Sequence, residues 1–530
     1  MKRLPLGIQN FREIIEDGYV YADKTKHIYD LLTGVKHYFL SRPRRFGKSL
    51  LLDTIAEALS GNKELFEGLF IYDSGYSFEK HPVLRLDMSN IANETPEILK
   101  ESLSRDLRRR IKEEGLEIDD GAPSSVFKDL IVALHNKYGK RVAVLIDEYD
   151  KPILDCLNNI ETADANREIL RGFYGVLKSL DGFVRLTFIT GITKFTKTSI
   201  FSGLNNLSDI TLSRKYANIC GIPTQDLCRY FGEHIDNLAS TAEYAACGSL
   251  TNDIFEWYDG YSWDGRTRVL NPFSLLSFLN EGRFSSFWYA TGTPKYLTDL
   301  IKKRPDGYTD LSNIEMGEWA LDTFDILNMA ASSLLFQTGY LTVKQELPDC
   351  RPPVYLLDMP NHEVRYAFNL HIIAEFTEKE APAAESAYRL MKNALSDGDL
   401  NSLLATLRSL FASIPFELHI SREAYYHSIF FAIMSVLGFD IEAEASVSGG
   451  RIDAVLELSD KVYVIEFKYV KCEPDAKPEE KQKLFEMALE EGQRQISDRG
   501  YAKKYEGSGK KIIKAAFAFL GRDEIEMRVF

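Results

Sequence analysis

The most constraining feature of this sequence is a short apolar stretch followed at once by a basic loop and an amphipathic stretch. Residues 37–41 read HYFLS and predict a buried strand, and residues 48–60 carry apolar residues at helical spacing. The loop between them reads RPRRFG. A strand that passes through a tight loop into a helix presents backbone N–H groups and the positive end of the helix dipole to an anion. The segment therefore predicts a phosphate-binding loop in an α/β fold.

The individual residues of the loop fit the parts of such a site. Gly47 lets the chain turn close to a phosphate, Lys48 is expected to reach the β and γ oxygens, and the Ser49 hydroxyl is expected to hold Mg²⁺. The pattern G-x-x-x-x-G-K-[ST] has a glycine where this chain has Arg42. Taken alone, the loop also fits a basic turn in which Gly-Lys-Ser begins a helix by chance.

A second apolar strand, VAVLID, ends in two acidic residues about 100 residues after the loop. In a nucleoside triphosphatase, Asp147 would hold Mg²⁺ through water and Glu148 would polarise the attacking water. Strands that end in acidic loop residues are common, so this feature alone also has a structural explanation. Together with the Gly-Lys-Ser loop it favours a nucleotide site.

A third apolar strand, FVRLTFIT, runs into the polar loop GITKFTK. Thr190 or Thr193 is a candidate for sensing the γ-phosphate, and Lys194 or Lys197 for reaching it, although polar residues in any loop after a strand look the same. Three arginines of the first loop either balance phosphate charge or form a solvated basic turn: Arg42, Arg44 and Arg45.

The alternation of apolar and amphipathic segments predicts the fold of residues 1–210. Buried strands are expected at 37–41, 82–88, 141–147 and 183–190. Helices are expected between them at 48–60, 94–114, 124–137 and 163–179. This alternation predicts a parallel sheet with helices on both faces.

The rest of the chain divides into three predicted regions. Residues 211–385 are irregular and helical in pattern and rich in aromatic residues, and residues 386–420 predict a helical connector. A second α/β unit is expected over residues 421–530. Its predicted elements are a helix at 421–437, strands at 451–458 and 461–470, a helix at 477–499 and a strand at 511–520.

Four segments together resemble the bacterial AAA-ATPase-like family: LPLGIQNFREIIEDGYVYADKT, SRPRRFGKSLL, VLIDEYDKP and IFSGLNNLSDIT. In that family an arginine usually stands where the first glycine of the loop is expected. The resemblance covers about residues 4–285 and implies a P-loop fold with an extra strand between the strands that carry the loop and the acidic pair. It also implies that GIQNFREII and Asp23-Lys24-Thr25 pack near the nucleotide base.

The same resemblance implies ATP with Mg²⁺ as the ligand. The residues expected to contact the nucleotide or its metal are Arg44, Arg45, Phe46, Gly47, Lys48, Ser49, Leu50, Asp147 and Thr190. Among them, Ser49 and Asp147 are the expected magnesium ligands, and Glu148 is the expected catalytic residue.

Near the C terminus, GGRIDAVLELSDKVYVIEFKYV predicts a β-hairpin with a short polar turn. Glu466 and Lys468 are two residues apart in its second strand, so their side chains fall on one face. Strand pairing is expected to bring Asp453 beside Glu466. Two carboxylates make an oxygen-rich site for Mg²⁺ or Mn²⁺, and the lysine positions or deprotonates the attacking water. These are the parts needed to hydrolyse a phosphodiester.

An edge hairpin whose alternating polar residues face water also fits this pattern. Against it, the second strand is apolar on both faces apart from Glu466 and Lys468. Buried charges are costly unless they have partners or a function.

The C-terminal unit also resembles the PD-(D/E)XK nuclease superfamily. The resemblance assigns the metal and catalytic positions to Asp453, Glu466 and Lys468, and a further metal ligand on the first helix to Glu423. Gln495 matches a glutamine that follows the core in several members.

Composition narrows the functions that remain. The net charge of −14 excludes a protein covered in basic nucleic-acid-binding surface, although a local basic groove is compatible with it. The 6 cysteines are scattered, which argues against a disulfide framework or a structural zinc site. No apolar stretch is long enough for a signal peptide or a membrane span, so a soluble cytoplasmic protein is expected.

Two alternative functions are therefore compatible with the sequence. In the first, an ATP-hydrolysing module controls a metal-dependent nuclease that acts on DNA or RNA. In the second, the chain is a nucleotide-controlled protein that binds nucleic acid or a partner without cleaving it. The intact set of Asp453, Glu466 and Lys468 favours the enzyme. The sequence leaves open the oligomeric state and the choice between DNA and RNA.

Overall fold

The computed structural model describes the chain apart from residues 195–199, 202–205, 246–248, 289–313, 323–330, 378–380, 413–439, 448–449, 459, 473–475, 499–501, 503–504 and 521–523. The described residues form two compact units, the first ending at Asn361 and the second running from His362 to Phe530. Within the described residues, no helix is both long and apolar enough to cross a membrane.

The first unit contains a five-stranded parallel sheet. Its strands are β1 (His37–Ser41), β2 (Val83–Asp87), β3 (Val142–Asp147), β4 (Val184–Gly191) and β5 (Ser208–Asp209). Their order is β2-β3-β4-β1-β5, so β4 lies between the strand of the basic loop and the strand of the acidic pair. The predicted parallel α/β fold with an inserted strand is therefore confirmed.

Helices flank this sheet and continue beyond it. They are α1 (Phe11–Glu16), α2 (Thr25–Thr33), α3 (Lys48–Leu59), α4 (Pro96–Glu113), α5 (Pro123–Tyr138), α6 (Lys151–Leu154), α7 (Ile160–Gly175), α8 (Leu227–Ala239), α9 (Leu250–Tyr258), α10 (Pro272–Glu281), α11 (Glu318–Asp322) and α12 (Ala331–Thr338). Side-chain N-caps fix where several helices begin. The Thr95 side chain accepts a hydrogen bond from the Ile98 N–H at the start of α4, and the Asn159 side chain accepts one from the Thr162 N–H at the start of α7.

Residues 211–361 combine helices with short strands. β6 (Ile222–Pro223) pairs antiparallel with β7 (Val269–Leu270). A further antiparallel sheet has the order β8-β10-β9 and is formed by β8 (Ile314–Gly317), β9 (Thr342–Glu346) and β10 (Val354–Asp358). The sequence predicted the helical character of this region but not its strands, because strands of two to five residues, such as TVKQE, have too few buried residues for a clear alternation.

The second unit is an α/β domain built on a mixed sheet. Its helices are α13 (His362–Thr377), α14 (Ala381–Asp397), α15 (Leu400–Phe411) and α16 (Pro478–Asp498). Its strands are β11 (Asp440–Val447), β12 (Gly450–Glu457), β13 (Lys461–Val470), β14 (Lys511–Leu520) and β15 (Glu524–Val529), in that spatial order. Only β13 and β14 are parallel. The helix predicted at 421–437 lies outside the described residues, and β11 and β15 were not predicted.

Both faces of the second sheet are covered by helices. On one face, Phe485 and Leu489 of α16 form a buried cluster with Ala516 and Ala518 of β14. On the other, the Tyr463 hydroxyl of β13 donates a hydrogen bond to the Leu395 carbonyl of α14 at 2.6 Å. The central strand β13 is therefore buried on both sides, as its apolar sequence predicted.

A buried arginine joins the first strand of the molecule to distant segments. Arg42, directly after β1, is fully buried, and its guanidinium donates hydrogen bonds to the carbonyls of Ser41, Thr211 and Tyr216 at 2.9, 2.9 and 3.3 Å. The guanidinium also lies 3.9 Å from the ring centroid of Trp263. The arginine at the position of the missing glycine is therefore directed into the protein.

Arg42→Met is expected to lower the free energy of unfolding by about 3 kcal/mol, because three buried carbonyls lose their donor. Arg44→Met is the matched control, since the Arg44 side chain is exposed, and its effect should stay within about 0.5 kcal/mol. Urea denaturation of both variants measures the difference. Equal effects would contradict the structural role of Arg42.

Strand β4 carries two buried threonines with different surroundings. The Thr190 hydroxyl donates a hydrogen bond to Oδ1 of Asp147 across to β3 at 2.5 Å. The Thr187 hydroxyl is equally buried but has no hydrogen-bond partner among the described residues. The first hydroxyl therefore links the two strands, whereas the second contributes only packing.

Thr190→Val is expected to destabilise the first unit by about 1–2 kcal/mol, because the Asp147 carboxylate loses a buried donor. Thr187→Val, in the same strand and equally buried, should change the stability by less than about 0.5 kcal/mol. Chemical denaturation followed by circular dichroism compares them. A Thr187→Val variant as unstable as Thr190→Val would show that the hydrogen bond is not the cause.

Candidate nucleotide and nuclease sites

The basic loop leads from β1 directly into α3. Gly47, with φ of 85°, precedes the first helical residue, Lys48. The Lys48 side chain is buried, and its Nζ donates hydrogen bonds to the carbonyls of Arg42 and Pro43, both at 2.9 Å. The ammonium group thus folds back over the loop, where it lies among backbone oxygens at the start of the helix.

Acidic residues at the end of β3 face this ammonium group. Burial lowers the pKa of Lys48, and the nearby carboxylates of Asp147 and Glu148 oppose that effect. Burial raises the pKa of Glu148; the Lys48 ammonium opposes this shift, and the Asp147 charge adds to it. Glu148 adopts a positive φ of 52°, a conformation unusual for a residue with a side chain, at the turn where β3 ends. The structure therefore brings together the predicted Lys48, Asp147 and Glu148.

Asp150 is a site-neighbouring residue that the sequence did not single out. It is buried, and its Oδ2 accepts hydrogen bonds from the Ile192 N–H at 3.0 Å and from the Thr193 N–H and hydroxyl at 2.6 Å each. The available signal was that Asp150 is the third acidic residue of IDEYD. Its contacts hold the end of β4 beside the end of β3.

The polar residues predicted at the end of β4 and after it have different partners. Thr190 is directed at Asp147, whereas the Thr193 hydroxyl is bound to Asp150. The Lys194 ammonium forms a buried ion pair with Asp209 at 2.9 Å. Lys197 lies outside the described residues.

The arginines of the loop do not share one role. Arg42 is buried in the protein, so the expectation of a solvated turn is wrong for this residue. Arg44 and Arg45 of the loop are exposed, and the Arg45 guanidinium lies 4.6 Å from the ring centroid of Phe273. Phe46 points inward, with its ring centroid 4.7 Å from that of Tyr261.

A pocket of about 610 Å³, including space open to solvent, lies next to the loop. Phe46, Gly47 and Leu50 line it on the loop side, and Tyr21 and Lys24 line it on the N-terminal side. Lys24 of the predicted Asp23-Lys24-Thr25 segment and the loop therefore share one mostly apolar pocket, whereas residues 7–15 are not among those that line it.

Lys24 supplies a charge to the wall of this pocket. Its Nζ donates a hydrogen bond to the Asn218 carbonyl at 2.9 Å, and burial lowers the pKa of Lys24 to about 8. The neighbouring Asp23 accepts hydrogen bonds from the Thr25 N–H and hydroxyl at 2.8 and 2.7 Å, which fixes the start of α2. Ser49 is partly exposed at the start of α3.

The second candidate site lies on β12 and β13. Ala454 pairs with Ile465, so Asp453 and Glu466 are the next positions along the two strands. Glu466 is 1% exposed, and the Lys468 Nζ lies 3.4 Å from its Oε1. The hairpin and the shared face of Glu466 and Lys468 thus follow the predicted geometry.

Helix α16 lies close over this face of the sheet. A Cβ on Gly492 would lie 3.0 Å from the Ala516 Cβ and 3.9 Å from the Glu466 Cγ. Ala516 pairs with Glu466 across β13 and β14. Gln495 follows less than one turn later on α16 and is partly buried. Small residues therefore let the helix approach the buried carboxylate.

Some predicted nuclease residues lie outside what the structure describes. Glu423 is outside the described residues, as is the side chain of Asp453. Within the part of the chain that is described, no three His, Cys, Asp or Glu side chains form a group able to hold a metal ion.

Solved structures of ORC proteins show distant similarity to the chain. The Aeropyrum pernix ORC2 protein, in ADPNP–ADP complexes, is 11% identical, covering 66% of this chain and 94% of that chain with a TM-score of 0.28. The Drosophila ORC bound to poly(dA/dT) DNA and Cdc6 is 11% identical, covering 77% and 71% of the two chains with a TM-score of 0.24.

Sequence families give the stronger comparison. A family model described as "Predicted AAA-ATPase" matches residues 5–201, and one described as "PD-(D/E)XK nuclease superfamily" matches residues 421–528. The "Uncharacterized protein in vnfD 5'region" of Azotobacter chroococcum mcd 1 is 36% identical over 517 residues, covering 96% of this chain and 95% of that protein. The chain therefore belongs to the same family as this Azotobacter protein, and it contains an AAA-ATPase-like domain and a C-terminal domain of the PD-(D/E)XK nuclease superfamily.

Proposed function

We propose that the chain binds and hydrolyses ATP with Mg²⁺ and that this module controls a metal-dependent nuclease acting on DNA or RNA in the bacterial cytoplasm. The observation that carries the proposal is the buried Lys48 ammonium, which lies at the start of α3 close to Asp147 and Glu148. Burying an ammonium group is costly unless it has a function or anionic partners, so a lysine with only a structural role is seldom found in such a position.

The residues of the first site fit a nucleoside triphosphate. Backbone oxygens hold Lys48 in place, and phosphate oxygens would replace them as its partners. Ser49 and Asp147 are the proposed magnesium ligands, and the bound ion would neutralise phosphate charge. The raised pKa of Glu148 suits a residue that orients and polarises a water molecule. The apolar pocket lined by Tyr21 and Leu50 is the proposed site of the base.

The second site fits phosphodiester hydrolysis. Glu466, Asp453 and Glu423 are the proposed ligands of Mg²⁺ or Mn²⁺, which would supply an activated water. Lys468 lies beside Glu466 and is proposed to position that water or the scissile phosphate. A carboxylate held in a buried strand next to an ammonium is otherwise an expensive arrangement.

The alternative is a nucleotide-controlled protein that binds nucleic acid or a partner without cleaving it. The 1% exposure of Glu466 favours this alternative, because a catalytic carboxylate must be reached by metal and substrate. A controlled nuclease that is closed in this structure has the same feature. The two functions are therefore distinguished by cleavage and its dependence on ATP.

Lys48→Ala is expected to weaken ATP binding about 100-fold, because charge-assisted hydrogen bonds to phosphate are lost. Glu148→Gln should bind ATP normally but hydrolyse it slowly. Isothermal titration and a phosphate-release assay measure both. Lys128→Ala, an exposed lysine of α5, is the control and should match the wild type. A Lys48→Ala variant that binds ATP as tightly as the wild type would refute the nucleotide site.

Glu466→Gln and Lys468→Met are each expected to reduce cleavage at least about 100-fold, because they remove a metal ligand and a proton-transfer or charge-stabilising group. The assay uses circular, linear and single-stranded DNA and RNA with Mg²⁺ or Mn²⁺, with and without ATP. Glu457→Gln, which alters an exposed carboxylate of β12, is the control. No cleavage of any substrate by a wild type that binds ATP would favour the alternative.

A further inference from the structure

Gln337 links the end of the central sheet to a segment far along the chain. It lies on α12 and is 4% exposed. Its Oε1 accepts a hydrogen bond from the Lys194 N–H at 2.9 Å, and its Nε2 donates one to the Leu321 carbonyl at 3.0 Å. Both ends of the amide are therefore used, one on the loop after β4 and the other on α11.

The Lys194 backbone N–H that Gln337 binds lies next to the proposed ATPase site. Lys194 directly follows Thr193, whose N–H and hydroxyl bind Asp150 at 2.6 Å each. Asp150 lies two residues after Glu148, the proposed catalytic residue. The Lys194 backbone is thus connected to the turn that carries Glu148 through the hydrogen bonds between Thr193 and Asp150.

The residues after Gln337 contact the phosphate loop. Gly339 has φ of 93°, and a Cβ on it would lie 2.7 Å from the Cβ of Pro43. The Pro43 carbonyl accepts a hydrogen bond from the Lys48 ammonium. The Trp288 indole N–H donates a hydrogen bond to the Arg44 carbonyl at 3.1 Å, and its ring packs on that of Tyr340. The turn after α12 and its neighbours therefore lie against the outer side of the loop.

We propose that Gln337 is a positioning residue for ATP hydrolysis, and that residues 337–340 couple the phosphate loop to the end of β4. This inference rests on the proposed ATPase function. Phosphate binding would draw Lys48 away from the Pro43 carbonyl, and Pro43 packs directly on Gly339. Movement of the loop is then transmitted through the turn to Gln337 and on to the Lys194 backbone.

The test compares two substitutions of one side chain. Gln337→Glu keeps an oxygen that accepts the Lys194 N–H but loses the donor to Leu321, whereas Gln337→Leu loses both. We expect Gln337→Leu to lower the kcat of ATP hydrolysis about ten- to hundredfold, with the Kd for ATP within about twofold of the wild type. Gln337→Glu should retain most of the kcat.

Trp288 gives a second measurement on the folded full-length chain. ATP binding should change the tryptophan fluorescence, and the change should be smaller in Trp288→Phe, which removes the contact with Arg44 but leaves the other 3 of the 4 tryptophans. A fluorescence response that is identical in both proteins would contradict coupling through the outer side of the loop.

The outcomes separate this inference from the function on which it rests. A wild type that hydrolyses ATP, with Gln337→Leu equally active, overturns the positioning role alone. Equal losses of kcat and of thermal stability in Gln337→Leu and Gln337→Glu also overturn it, because a purely structural role predicts that result. A wild type that neither binds nor hydrolyses ATP overturns the proposed function and this inference with it.

Discussion

The burial of the Arg42 guanidinium is the interaction on which the packing of the AAA-ATPase-like domain depends. Burial lowers the pKa of Arg42 to about 10, so the side chain remains charged at neutral pH. Taking this charge out of water is costly, and three backbone carbonyls together with the Trp263 ring compensate for it. Those carbonyls in turn obtain a donor that few other side chains could supply. β1, residues 211–216 and the segment that carries Trp263 therefore depend on one another for stable packing.

This anchoring explains how the loop keeps its shape without the usual first glycine. The side chain of Arg42 leaves the loop on its inner side, so it does not occupy the space beside Lys48. Donors from separate segments then hold the loop carbonyls: the Lys48 ammonium binds those of Arg42 and Pro43, and Trp288 binds that of Arg44. A change of hydrogen-bond partner at Lys48 would therefore alter contacts of several segments at once, as the proposed control by a nucleotide requires.

The parts of the fold that were predictable are those determined locally. HYFLS and VAVLID are mostly apolar because β1 and β3 are buried on both faces. Gly-Lys-Ser comes after the short loop that follows β1, and Asp147 ends β3 with Glu148 next to it. The inward direction of Arg42 and the role of Gln337 depend on partners 169 and 143 residues away, which no local pattern reveals. Asp150 was missed for the same reason, because its hydrogen bonds come from the end of another strand.

The exposure of Glu466 and Lys468 indicates how a phosphodiester would enter the proposed nuclease site. Along β13, the side-chain exposure rises from 1% at Glu466 to 18% at Lys468. Gly492 of α16 covers the Glu466 side, whereas the strand beyond Lys468 is only partly buried. The lysine end is therefore the accessible side. An anionic substrate would approach the Lys468 ammonium before the Glu466 carboxylate. It would therefore be repelled less than if the carboxylate were also exposed. On the α16 side, Gly492 lies close to the Glu466 side chain, so this helix forms part of the cover of the buried carboxylate.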